Sequence, residues 1–383
     1  MVTLETLRTS WPGRYAILCE PPGGLALLLT AIGNAGRGDK QTEIHRLAAG
    51  TTDWAYLERL AIRHHVTPLL YLGFNRAAWP LVPAPVQALL KTRFAANLQR
   101  NFRLARHAVV VLKSFNVAGI QVMPYKGIFM AQSIYGHLSS REVNDIDLLI
   151  DARDVERARE VLVQAGFAPT EKLDQEQIFR QQALHLEIDL HWQVSPGFFP
   201  VGFDFQALWG RSVTTRLGGV DYREPGREDL LLLLCIQLAK DCWERRQLLI
   251  QLQKVCDIAE VIHRTPGLDW RALRGRAAQQ GLARVLDFSL ALAADLLGAP
   301  LPADLCAQIA NDRTTLALAR QVSALPELAE TTLPPERNAL LDIRLRLRQL
   351  AFYLRLRERQ RDKWHYLGRL LRAIPAALGR QAA

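Results

Sequence analysis

The apolar residues of this chain keep helical spacing from about residue 51 to residue 116, lose it for roughly a hundred residues, and regain it near residue 226. A period of 3.6 and a period of 2 cannot be exchanged without turning the apolar face outward. The chain is therefore constrained to a short α/β segment between two helical ones. In "DWAYLERLAIRHH", Trp54, Leu57, Leu60 and Ala61 share one helical face, with Thr52 or Asp53 as the cap. Residues 86–115, after the Pro-rich "WPLVPAPV", form a long Ala-, Leu- and Arg-rich helical stretch. The middle reads as a strand in "IQVMPY", a helix in "IFMAQSIYG" opened by Lys126-Gly127, and a second strand in "DIDLLI". A capped helix follows in "ARDVERAREVLVQAGF", with Val155, Ala158 and Leu162 in register and Gly166 as its stop. "ALHLEIDLHWQV" reads as a third strand and "RSVTTRLGGVDYREP" as a hairpin; helical patterns resume at "REDLLLLLCIQLAKDCW". Residues 1 to about 40 read as irregular. The expectation is an α+β fold with a small mixed sheet: a mostly helical region 1–115, an α/β domain 116–226, and a helical region 227–383.

With 383 residues, 49% apolar and 22% charged, the chain has the make-up of an ordinary soluble globular protein. Its net charge of +10 favours an anionic partner. Cys19, Cys235, Cys242, Cys256 and Cys306 are scattered and form no CxxC, which argues for buried thiols over a disulfide or zinc framework. "GLALLLTAIG" is too short for a membrane span and lacks a basic leader, so a cytoplasmic protein without a transmembrane segment is expected.

The chemistry concentrates in "DIDLLI". Asp145 and Asp147 lie two apart at the mouth of an apolar strand and project from the same face. Like charges that close raise each other's pKa unless a cation lies between them, and a metal ion is the usual solution. About forty residues on, "HLEIDLHW" offers Asp189, with Glu187 and His191 on its face. Upstream, Gly127 opens a helix whose N–H groups are suited to phosphate. Three acids and such a turn suit metal-assisted phosphoryl chemistry on a nucleoside triphosphate.

The order strand, Lys-Gly turn, helix, Asp-Ile-Asp strand and later Asp resembles the nucleotidyltransferase fold of the DNA polymerase β superfamily. More narrowly, "VMPYKGIFMAQSIYG", "REVNDIDLLI", "VLVQAGF" and "IDLHW" resemble a bacterial family of uncharacterised nucleotidyltransferases, often found near biosynthetic gene clusters. The likeness runs over roughly residues 52 to 265. It implies a polymerase β-like domain that moves a nucleotidyl group from an NTP such as ATP to an acceptor. Mg2+ or Mn2+ would be held by Asp145, Asp147 and Asp189, with the triphosphate near Lys126 and Gly127. The chain departs from the pattern at Ile128, which follows Gly127 where a Ser or Gly is usual, and at Asn144. It departs again at Gln237 and Asp241, where histidines are common.

Arg141 is a candidate phosphate contact or a partner for Glu142 or a site acid. His191 is a candidate to orient Asp189. Trp243, with Lys240 and Glu244, is a weaker candidate for approaching the nucleotide, and Asp257 reads as structural. From Arg337 to Arg372 the chain has eleven Lys and Arg against three acids, interleaved with Leu, Phe, Tyr and Trp. That segment reads as a helix that either meets an anionic partner, RNA or membrane, or lays its cations over the core. The acceptor is left open among a small molecule, a peptide or protein hydroxyl and an RNA end. The rival readings are a non-catalytic nucleotide- or RNA-binding module and an antitoxin-like regulatory transferase acting on a protein.

Overall fold

The computed structural model describes residues 23–33, 41–50, 53–242, 251–323 and 339–368. Cys19, Thr52, Trp243, Glu244, Arg337 and Arg372, named above, lie outside them. Four helices, α1 (Gly23–Ile32), α2 (Gln41–Ala49), α3 (Trp54–Arg63) and α4 (Thr67–Ala77), lead into the 34-residue α5 (Ala84–Val117). The α/β segment comprises β1 (Val122–Pro124), α6 (Gly127–Ser133), β2 (Ile146–Ile150), α7 (Val155–Gln164), β3 (Ala168–Lys172), β4 (Glu176–Gln181) and β5 (Leu186–His191). It closes with α8 (Phe205–Gly210) and the hairpin β6 (Val213–Leu217) and β7 (Val220–Glu224). Helices α9 (Arg227–Asp241), α10 (Leu252–Arg264), α11 (Trp270–Gln280), α12 (Ala283–Leu297), α13 (Ala303–Asn311), α14 (Arg313–Ser323) and α15 (Ala339–Leu356) follow. Among the described residues, no helix is long and apolar enough to cross a membrane.

The five strands form one mixed sheet in the order β1-β2-β5-β4-β3. β2 and β5 run parallel, and every other neighbouring pair is antiparallel. On β2, Ile146, Leu148 and Ile150 point into a core shared with Ile188, Leu190, Phe179 and the second half of α5. Asp147 takes the opposite face by strand alternation. Three sequence expectations need correction here. The segment up to residue 40 is not irregular throughout, because it contains α1. That helix is apolar all round and buried along most of its length, so it shows no amphipathic period to read. β3 and β4 were not anticipated: β3 is exposed along its whole length, and β4 has only two buried residues in a polar run. Third, β5 is shorter than "ALHLEIDLHWQV" suggests, since residues 182–184 form a 3-10 turn and His185 adopts φ +49°.

A second core joins helices from both ends of the chain, from Leu25 and Phe74 to Leu286 and Phe352. Asp53 caps α3 by accepting from the Tyr56 amide at 2.8 Å, and Leu57, Leu60 and Ala61 are buried as their spacing predicts. α1 and α4 approach so closely that a Cβ at Gly73 would lie 2.4 Å from the Ala31 carbonyl oxygen. Backbone cannot give way as a side chain can. Gly73→Ala is therefore expected to cost roughly 1–3 kcal/mol, read as a lower denaturant midpoint; an unchanged midpoint would contradict this packing.

Candidate active site

Asp147 and Asp189 are direct partners across the parallel pair β2–β5, and Glu176 lies opposite His191 across β4–β5. All four side chains emerge on one face of the sheet. They line a cavity of about 360 Å3 that Asp145, Lys126 and Arg141 also reach. The far wall belongs to α9 and α10, through Gln237, Lys240, Asp241, Gln253, Lys254 and Asp257.

The charges are arranged in a chain. Lys126 Nζ lies 2.7 Å from Asp147 Oδ1. His191 donates from Nε2 to the same oxygen at 3.2 Å and from Nδ1 to Glu176 Oε2 at 2.7 Å, an arrangement that requires the imidazolium. Burial alone would neutralise these groups, but their mutual attraction outweighs it. Burial pushes Asp147 up, yet Lys126 and His191 hold it well below the usual carboxylate range. Burial disfavours the charged forms of Lys126 and His191, but Asp147 raises Lys126 well above its ordinary value, and Asp147 and Glu176 raise His191. The remaining acids have less help. Burial and then the Asp147 charge push Asp145 up to about 6. Burial and then Asp147 and Asp145 push Asp189 up to about 7.

One observation bears on a metal. Asp189 Oδ1 is buried and has no hydrogen-bond partner among the described residues. A buried carboxylate oxygen without a donor is costly. Asp147, Asp189 and His191 each place a ligand atom within 4.8 Å of the others. Asp147 and Asp189, the latter with that free oxygen, fit a divalent cation, and His191 becomes a ligand only on losing its Nε2 proton.

The loop that carries these groups is held from behind. Asn97 Nδ2 donates to the Ser139 and Arg141 carbonyls, both at 3.0 Å, and Asn101 Nδ2 to the Arg141 carbonyl at 2.8 Å. Arg100 donates to the Val143 carbonyl at 3.0 Å. These buried amides on α5 fix residues 138–143, the approach to Asp145. Their only sequence signal was two asparagines four apart interrupting an apolar stripe. Gly127 opens α6 at φ +64°, where a Cβ would lie 3.3 Å from Val143 and 3.4 Å from the Asp145 carbonyl. α6 has only seven residues.

Other candidates land differently from their sequence reading. Arg141 forks onto Asp257, with Nε 3.0 Å from Oδ1 and Nη2 2.9 Å from Oδ2, while Tyr135 donates to Oδ1 at 2.8 Å. His191 bonds Asp147 and Glu176 in place of Asp189. Asp241 lies between two lysines, Lys240 at 2.8 Å and Lys254. Glu176 and Lys254 were not foreseen, because their strand and helix positions carry no motif.

A family model described as an uncharacterised nucleotidyltransferase matches residues 50–298, more than half of the chain. No curated protein and no solved structure matches.

The raised pKa values set a pH dependence. Asp145 and Asp189 keep protons in the folded state that the unfolded chain releases near pH 4. They favour the folded state below that pH, and the contribution is lost as pH rises through about 6 and 7. His191, also raised, acts in the same direction above its unfolded value. In EDTA the denaturant midpoint is expected to fall between pH 5 and pH 8, and Asp189→Asn to flatten that fall. An equally steep fall in the variant would contradict the assignment.

Proposed function

The chain belongs to this family of uncharacterised nucleotidyltransferases, and from that premise we propose that the cavity transfers a nucleotidyl group from an NTP to an acceptor hydroxyl, with release of pyrophosphate. The observation that supports this most is the register of Asp147 with Asp189 on adjacent parallel strands, one of them carrying a buried oxygen without a donor. In this reading residues 116–226 are a polymerase β-like domain, supported by the order of Lys126-Gly127 just after β1, Asp145-Ile146-Asp147 at the start of β2 and Asp189 on β5.

Asp147 and Asp189, with Asp145 alongside, would hold Mg2+ or Mn2+, and the His191 imidazolium would stay a donor to Asp147. The cation would neutralise charge on the phosphates and the leaving group. Lys126 and His191 keep Asp147 ionised and fix its orientation; Glu176 holds the far side of the imidazole. Asp189, beside the cation, would accept the acceptor's proton as that acceptor's oxygen bonds to the α-phosphorus. The bond from that phosphorus to the bridging oxygen breaks, and the electron pair leaves on pyrophosphate. Lys126 and Arg141 are already held by Asp147 and Asp257. The cations of the helical wall, Lys240 and Lys254, share one carboxylate between two charges and are therefore assigned to the phosphates.

Incubation with labelled NTPs, Mg2+ or Mn2+ and candidate acceptors tests the reading. Wild-type protein is expected to label an acceptor, and Asp147→Ala to lower the rate by several orders of magnitude while the protein stays folded. Lys240→Gln with Lys254→Gln is expected to raise the KM for NTP more than it lowers kcat. Tight NTP binding with no transfer to any acceptor would favour a non-catalytic module.

A further inference from the structure

The Arg-rich C-terminal segment falls outside the span matched by the family, and its side chains divide into two groups. Arg357 is 1% exposed; it donates to the Pro200 carbonyl at 2.9 Å and lies 3.8 Å from the centre of the Phe199 ring. Arg359 donates to the Ala278 carbonyl at 2.9 Å and to that of Gln279. These two arginines are committed to the fold. Arg355 and Lys363 instead line a groove of about 440 Å3, together with Arg284, Leu354, Gln360, Trp364 and Leu367.

Trp364 is 71% exposed, an unusual state for an indole, and it forms a wall of that groove. Arg355 and Lys363 flank it, and neither makes an ion pair among the described residues. The neighbouring acids are already engaged. Glu358 accepts from the Arg284 amide at 3.2 Å, Asp362 faces Arg361 at 3.3 Å, and Asp312 accepts from Thr314 and Thr315 at 2.9 and 2.6 Å. Arg348, also exposed, lies two turns before Arg355 on the same side of α15, so the cationic strip continues beyond the groove.

From these placements we infer that the groove between α15 and residues 360–368 binds single-stranded RNA, one base stacking on Trp364 and the adjoining phosphates meeting Arg355 and Lys363. An exposed aromatic face beside unpaired cations is the arrangement that holds an unpaired strand without reading its sequence. The strip on α15 favours a polymer over a mononucleotide. A lipid surface fits less well. It calls for a run of apolar side chains on one convex face, whereas Leu347 and Trp364, seventeen positions apart, are the exposed large apolar residues described in this segment.

The test is fluorescence anisotropy of a labelled twelve-nucleotide polyadenosine RNA with the full chain, across a salt series. Trp364→Ala is expected to weaken binding roughly tenfold, and Trp364→Phe to restore much of the loss. Arg355→Gln with Lys363→Gln is expected to reduce the slope of log Kd against log salt by about 1.4. Arg355 and Trp364 are exposed and Lys363 is half-buried, and an unchanged thermal midpoint verifies folding. The inference is overturned if RNA fails to bind at micromolar protein, or if these variants bind as wild type does. It is equally overturned if anionic phosphatidylserine vesicles bind in a Trp364-dependent way while the RNA does not.

Discussion

The ion pair between Lys126 and Asp147 is the constraint on which the site depends. Three carboxylates converge on one cavity, and their mutual repulsion would force protonation or push the strands apart. One ammonium at 2.7 Å and one imidazolium at 3.2 Å keep Asp147 charged inside the fold. Burial first, and the remaining repulsion after it, raises the pKa values of Asp145 and Asp189. Of these three acids, one is held in its charged form and two are raised toward neutrality. That division suits an anchor for a cation beside a group able to exchange a proton.

Two cores support this arrangement from opposite sides. The core under the sheet fixes the register of β2 on β5, and so the distance between Asp147 and Asp189. The core of the helical ends sets α9 and α10 across the cavity, bringing Lys240, Lys254 and Asp257 to it. The asparagines of α5 link the two by holding residues 138–143 through backbone carbonyls, which no side-chain substitution in that loop can replace. Helices from both halves of the chain thereby support the wall that faces the acids.

The parts of this structure that were legible from sequence are those governed by local periodicity. Asp147 lines the cavity as strand alternation implied, with Asp145 beside it one residue before β2; Gly166 ends α7 at φ +86°, and Leu57, Leu60 and Ala61 are buried on α3. What was hidden depends on partners remote in the chain. α1 has no polar face, so its pattern could not mark it as a helix. Glu176 lies on a polar strand whose only distinction is its position opposite His191. Arg357 and Arg359 look like their solvated neighbours in sequence, yet one is buried against Phe199 and the other caps carbonyls at the end of α11. Arg141 had an acid to pair with, as expected for a buried guanidinium, but that acid is Asp257, 116 residues away.

The central claim is that Asp147 and Asp189 jointly hold a divalent cation beside an NTP. It is tested most directly by a crystal structure grown with Mn2+ and a non-hydrolysable NTP analogue, read by anomalous scattering. The account predicts a manganese peak shared by Asp147 and Asp189, with the triphosphate between that ion and Lys240 and Lys254. An ion-free cluster with the nucleotide bound outside this cavity would contradict it.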